Sequence, residues 1–243
     1  MSLFVIADLH LSGQVNKSME VFGDRWRAYR DKLEKNWRAV VSDRDTVIIP
    51  GDISWGMNLS EALADFRFID ALPGKKLLGK GNHDFWWTTV SKMKAFFAGN
   101  GITTIDFLYN NAYAFEDCIV AGTRGWFQDK SMQKTVGEVD YEKIVNREIQ
   151  RLSMSLDAAE RLRTEAGTPD LPILVFLHFP PVFGDFLSRE TVDILHVHKV
   201  TNCYFGHIHG IYEIPPAETF EGITFRLISA DYLNFMPFLV RPS

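Results

Sequence analysis

Along this chain, short apolar runs alternate with stretches of helical periodicity. The runs Leu3–Ala7, Thr46–Ile49, Lys76–Leu78, Ala112–Phe115, Ile119–Ala121, Ile173–Leu177, Thr201–Phe205 and Ile223–Ile228 predict strands. Several are unbroken Val/Ile/Leu/Phe, the pattern of strands covered on both faces. Trp26, Tyr29, Leu33, Trp37 and Val40 recur at three- and four-residue steps and predict a helix over Asp24–Val41. Val90, Met93, Phe96 and Phe97 predict a second. A longer helix is expected over Glu138–Arg163, with Val145, Ile149, Leu152, Leu156 and Ala159 on one stripe; packing on a sheet is favoured over a free coiled-coil arm. From Ile211 onward the chain holds Pro215, Pro216 and Pro237 and no helical period, which predicts an antiparallel meander at a sheet edge. Strand–helix alternation followed by strands implies an α/β layered fold with mixed sheets.

Composition narrows the partners. The 243 residues can bury about 70–75% of their unfolded surface, so a single domain over residues 1–243 is expected, with a helical insertion at about 122–167. Lys and Arg total 26 against 31 Asp and Glu, a net charge of −5. That balance argues against a protein whose affinity comes from a basic surface on nucleic acid. It leaves open an enzyme that holds phosphate through metal ions, because the ions bring the positive charge. The run Leu3–Ala7 stops at Asp8, too short for a signal-peptide core and without a basic leader, and no stretch has the length of a membrane span. With only Cys118 and Cys203, both expected as small buried side chains, a cytoplasmic, reduced setting is predicted.

The candidate chemistry stands at the strand ends. Asp8-Leu9-His10, Gly51-Asp52, Gly81-Asn82-His83-Asp84, His178 and Gly206-His207-Ile208-His209 each follow an apolar run, and they hold five of the seven histidines. Loops beyond the carboxyl ends of strands converge in α/β sheets, so these clusters predict one site. Asp8 and His10, two apart, can grip one ion. His207 and His209 share that spacing, about 6.5 Å between Cα atoms if extended, so each can serve a different ion of a pair about 3.5–4 Å apart. Asp52 is placed to bridge the two ions with its two oxygens. Asn82 offers an amide oxygen and His178 a further imidazole. Gly51, Gly81 and Gly206 permit tight turns. Mixed imidazole and carboxylate donors suit Mn, Fe or Zn.

In this order, from Asp8 to His209, the motifs resemble the calcineurin-like metallophosphoesterase superfamily. The resemblance implies a four-layer sandwich of two mixed β-sheets flanked by helices. It also implies two divalent metal ions, Mn or Fe ahead of Zn. Asp8, His10, Asp52 and His209 would form the first site, and Asp52, Asn82, His178 and His207 the second. His83 matches the catalytic histidine, and Asp84 the acid that orients it. The expected activity is hydrolysis of a small, nucleotide-like phosphate ester, as a phosphodiesterase or phosphatase. The alternatives are a protein phosphatase or nuclease of the same chemistry, and a metal-bearing scaffold without turnover. No membrane and no strong nucleic-acid binding are expected.

Outside the ligand set, Arg124 and Trp126 follow a predicted strand. Either can touch substrate at the rim, Arg124 by forking onto phosphate oxygens. The irregular stretch Gly122–Gly137, including Phe127, is expected to border the site. Trp55, Trp86, Trp87 and Trp126 lie near the clusters, and core packing is the favoured role over base stacking. His196 and His198 fall in an apolar stretch and are read as structural.

Overall fold

The computed structural model describes residues 1–126 and 141–241. Its strands are β1 (Leu3–Val5), β2 (Thr46–Pro50), β3 (Lys75–Gly79), β4 (Ile105–Phe107), β5 (Asn111–Ala114), β6 (Ile119–Thr123), β7 (Ile173–Leu177), β8 (Val182–Phe183), β9 (Phe186–Leu187), β10 (Asn202–Phe205), β11 (Ala217–Phe220), β12 (Ile223–Leu227) and β13 (Phe238–Arg241). The helices are α1 (Tyr29–Val40), α2 (Leu63–Asp70), α3 (Val90–Gly99), α4 (Tyr141–Glu165) and α5 (Arg189–Val197). The chain is a mixed α/β protein with two large mixed sheets, and its residues group into two compact units.

The first unit comprises Met1–Phe107, Gly206–Ile214 and the segment from Ile228 onward. Its sheet runs β13-β1-β2-β3-β4, parallel from β1 to β4, with β13 antiparallel at the edge. Every residue of β1 and β2 is buried, as their unbroken apolar runs require. Leu33 and Trp37 of α1, Phe66 and Ile69 of α2, and Met93 and Phe97 of α3 join Ile6, Val47, Ile49 and Leu78 in one core cluster. The helix expected over Asp24–Val41 is divided. A 3-10 turn over Asp24–Trp26 precedes α1, and Ala28 between them has a left-handed φ of 49° that no α-helix carries.

A charged side chain is buried in this unit. The Lys76 ammonium donates to the carbonyls of Asp70 and Leu72 and to Thr104 Oγ1, and so closes the end of α2. Burial pulls its pKa down from 10.5 to about 8, against the attraction of Asp70 and Asp43. Between those two values the unfolded chain binds the extra proton, so stability rises with pH there. Wild type is therefore expected to gain on a Lys76→Met variant by on the order of 1–3 kcal/mol between pH 8 and 10.5. Urea midpoints at several pH values check this; a constant difference would refute it.

The second unit comprises Leu108–Phe205 and Pro215–Leu227. Its sheet runs β11-β12-β10-β7-β6-β5, with the inner four strands parallel and an antiparallel strand at each edge. The long helix packs on β5 and β6 and is not a free arm. Val145, Leu152, Leu156 and Ala159 are buried along its stripe, and Ser155 Oγ donates to Asn111 O at 2.6 Å and accepts from Gly122 N at 2.8 Å. Residues 127–140, and with them Phe127, most of Gly122–Gly137 and the expected helix start at Glu138, lie outside the described residues. Cys118 and Cys203 are buried as expected.

The C-terminal third differs from a single meander. β11 and β12 form a hairpin across Glu221 and Gly222, whose φ values of 47° and 82° suit a two-residue turn between twisted strands. β12 then pairs in parallel with β10, and β13 joins the other sheet, antiparallel to β1. Strands such as β4, β8 and β9, of two or three residues, are too short to show alternation in the sequence. Among the described residues no helix is long and apolar enough to cross a membrane.

Candidate metal centre

The first unit builds its site by letting two loops run on side by side past the ends of β1 and β2. Asp8 N donates to Gly51 O at 3.0 Å, His10 N to Asp52 O at 2.9 Å, Leu11 N to Ile53 O at 2.9 Å, and Trp55 N returns to Leu11 O at 2.9 Å. The ladder thus continues where the strands have ended. Along it the backbone is strained at Asp8 (φ 62°), His10 (φ 45°) and Asp52 (φ 51°), and His207 adds φ 68°. Such left-handed residues cost of order 1–3 kcal/mol each and persist where surrounding bonds fix them.

Glycines 81 and 206 serve by close approach. A Cβ at Gly81 would overlap Asp52 Oδ1 and the Asp52 nitrogen, and one at Gly206 would overlap Asp8 Oδ2 and the Ala7 side chain. Only glycine lets these loops press on the two carboxylates, which is a different reason from turn formation.

The donor atoms converge. Asp8 is fully buried; its Oδ2 accepts from His207 N at 2.9 Å and Ser229 Oγ at 3.0 Å, and its Oδ1 lies 3.4 Å from His209 Nε2. His10 Nε2 stands 3.2 Å from His209 Nε2 and 3.6 Å from Asp52 Oδ2. His207 Nδ1 lies 3.1 Å from Asn82 Oδ1. Asp8, His10 and His209 offer ligand atoms all within 4.8 Å of one another, a set that can hold a cation.

The electrostatics fit a divalent cation. Burial, then the Asp84 and Asp8 carboxylates, push the Asp52 carboxyl well above its usual range, so negative charge is crowded here. Burial and the neighbouring His209 hold His10 well below its ordinary value, and burial takes His207 down to about 4, so both rings present a neutral lone pair. His209 goes the other way. Burial would lower it, but Asp8 and Asp231 outweigh burial and raise it to about 10. A cation bound here would take the place of the extra proton that the raised pKa of His209 favours, since metal ligands must be deprotonated.

His83 is placed by its backbone: its N–H donates to Asp52 Oδ1 at 2.8 Å. Its half-buried ring tilts against Trp55 at 4.5 Å between centroids and stands 5.7 Å from the ring of His10. Burial, then the charge of Lys17, lowers its pKa.

Asp84 does something other than the orienting role the resemblance implied. Its Oδ2 accepts from Gly81 N at 2.7 Å and Asp52 N at 2.9 Å, and its Oδ1 from Ile53 N at 2.8 Å, Ser54 N at 3.4 Å and Trp86 Nε1 at 3.0 Å. Both oxygens are occupied by these donors, and none of those donors is the His83 ring. Burial raises its pKa to about 6, against the pull of those backbone bonds. Asp84 is the residue that shapes the Asp52 loop.

The remaining expected residues belong to the second unit. His178 follows β7 directly, is buried, and donates its backbone N–H to Arg124 O at 3.0 Å. Arg124 gives Nη2 to Glu148 Oε1 at 3.0 Å, and Glu148 also receives Arg151 at 2.6 Å. Its guanidinium lies 5.0 Å from the Trp126 ring. The charge expected to meet phosphate is therefore met by Glu148 within its own unit. His196 contacts Glu221 O at 2.9 Å, and His198 lies 3.6 Å from Glu160, both in structural settings. Trp86 and Trp87 pack together, with Trp87 also against Phe107.

Three residues escape the sequence pattern. Trp26 sets its ring edge-on to His10 at 6.0 Å and to His209 at 5.8 Å. Ser229 holds Asp8, as above. Asp231 Oδ1 lies 2.9 Å from His209 Nδ1. Ser229 and Asp231 do follow an apolar strand, the signal that marks the other clusters, but no histidine stands with them.

The mixed α/β chain thus gathers imidazoles and carboxylates on strand-end loops as a donor set that can hold metal ions. The sequence pattern of calcineurin-like phosphoesterases matches residues 1–210, and the chain belongs to that family. Among solved structures it is similar to TT1561 of Thermus thermophilus, at 12% identity over 98% of this chain and 97% of that one, with a TM-score of 0.53. It is also similar to a protein of unknown function, AQ665 from Aquifex aeolicus, at 14% identity over 98% and 95% of the two chains, with a TM-score of 0.49. The likeness to TT1561 bears on fold alone. Among curated proteins, none matches the chain by sequence.

Proposed function

We propose that this chain hydrolyses a small phosphate ester, nucleotide-like in its leaving group, with two divalent cations of the Mn or Fe type. The observation that carries the reading is the convergence of His10 Nε2, His209 Nε2 and Asp8 Oδ1 on one point, with the Asp52 carboxylate beside them. Asp8, His10, Asp52 and His209 would hold one cation, and Asp52, Asn82 and His207 the other. His178, in the second unit, enters this second set through the family resemblance. When bound, such a pair supplies charge to neutralise phosphate oxygens and acidifies water for attack on phosphorus.

The chain's own residues do the rest. Asp52 keeps one oxygen on the His83 N–H, so its carboxylate is fixed before any cation arrives. The His83 ring would donate a hydrogen bond to the phosphate through its N–H or, as the imidazolium, pass a proton to the leaving oxygen and be left neutral. Trp55 stacks on His10 at 4.9 Å and screens that ligand from water. The ring of Phe85, 55% exposed and 6.3 Å from His83, is an aromatic placed to meet a base, whereas Trp55, Trp86 and Trp87 are packed. We do not extend a substrate role to Arg124 or Trp126. Both units are read as parts of one domain, because the family pattern spans segments of each. A cytoplasmic setting is proposed with it.

The test is turnover of p-nitrophenyl phosphate and its bis ester by protein reconstituted with Mn²⁺. Activity is expected to vanish on chelation and to return on adding the metal back. Turnover unaffected by chelator, or absent at every divalent cation tried, would reject the reading. The net charge of −5 weighs against the nuclease alternative, and the His83 ring standing beside the donor cluster weighs against a scaffold.

A further inference from the structure

We infer that Asp231 is a positioning residue for the metal centre: it fixes which nitrogen of His209 faces the cation, from a segment beyond the residues that the family pattern matches. The inference rests on the metal-site reading above and adds a residue to it. Asp231 is fully buried, and both its oxygens are engaged. Oδ1 meets His209 Nδ1 at 2.9 Å; Oδ2 accepts from Gly210 N at 3.0 Å and from the Tyr212 hydroxyl at 3.1 Å. An ionised carboxylate only accepts, so Nδ1 must carry a proton toward it. Nε2 is then the nitrogen left to present a lone pair, and it is the one that stands 3.2 Å from His10 Nε2 and 3.4 Å from Asp8 Oδ1.

The surroundings keep the carboxylate from swinging. Arg25 donates to the Asp231 carbonyl at 3.0 Å and lies over the Tyr212 ring at 3.7 Å. Two backbone bonds, Leu233 N to Ser229 O at 3.0 Å and Phe235 N to Ala230 O at 2.7 Å, wind the segment around buried Ala230 and Phe235. Ser229, two residues earlier, fixes Asp8 Oδ2 and so leaves Oδ1 toward the cluster. One short segment therefore orients two ligands of one cation. A carboxylate behind a ligating imidazole fixes its tautomer and raises its basicity, and losing such a partner typically costs about 10–100-fold in metal affinity.

The substitution Asp231→Asn tests this, because the amide can still accept from Gly210 and Tyr212 yet turns an NH₂ toward His209, forcing the ring proton onto Nε2. Calorimetric titration of the metal-free protein with Zn²⁺ and Mn²⁺ is expected to show affinity reduced by about 10–100-fold. The metal-free variant should stay folded, though without the Asp231–His209 pair it should melt below wild type. Tyr212→Phe, which removes one lock and keeps the carboxylate, should show a smaller loss in the same direction. In zinc-loaded wild type, nitrogen-15 spectra of labelled histidine should show His209 protonated on Nδ1. Wild-type affinity in Asp231→Asn, or His209 protonated on Nε2 in the loaded wild type, would overturn the inference while leaving the metal reading intact. A wild type that binds neither cation would overturn the metal reading and the role of Asp231 with it.

Discussion

An Asp52→Asn protein is expected to lose its bound cations and its turnover together, while its metal-free form melts at or above the wild-type temperature. The carboxylate is buried beside two others, Asp8 and Asp84, and its charge is unfavourable until a cation meets it. Removing the charge relieves that repulsion. An asparagine oxygen can still accept the His83 N–H that Asp52 accepts at 2.8 Å, so the loop keeps its shape. Metal analysis after reconstitution should fall below one ion per chain, and activity should fall with it. Two tightly held ions in the variant would show that Asp52 is not the bridge between them. A large drop in the melting temperature of the metal-free form would show that the carboxylate is structural.

His83→Ala is expected to keep its metals and turn over about 10²–10⁴-fold more slowly, the loss typical of a removed acid–base group. The two effects separate because His83 serves Asp52 through its backbone, which alanine retains, and would serve the substrate through its ring. The variant should lose most on esters with poor leaving groups and least on nitrophenyl esters, whose leaving oxygen needs no proton. Equal losses on both would point to phosphate binding by the ring instead, and loss of metal would make His83 a ligand.

What can be read from the chain follows from where chemistry interrupts pattern. Asp8, His10, Asp52 and the histidines at 207 and 209 are visible because each breaks an apolar run at the end of a strand, and histidine is rare enough to mark a site. The buried strands and the stripe of α4 are visible for the same reason: burial on both faces leaves no charged residue inside β2 or β7. Asp84 misleads because adjacency in sequence places its backbone, not its side chain, beside His83. Arg124 looks free because its partner Glu148 is 24 residues away. Glu148 sits on the stripe between Val145 and Leu152, where a carboxylate is buried only if a cation comes to meet it. The division of the first helix at Ala28 leaves no mark, since alanine is the best helix former and only tertiary packing sets its φ.

The first unit is written in three pieces of chain, with most of the second unit between the first piece and the next. A ribosome working at about 5–20 residues per second releases Asp8, His10, Asp52 and Asn82 many seconds before His207, His209 and Asp231. Through that interval β1 lacks its neighbour β13, and Asp8 lacks both Ser229 and the His207 N–H that hold its outer oxygen. The nascent chain therefore meets cellular cations as a scattered handful of weak ligands, and selection among metals waits until the segment through Asp231 has been made.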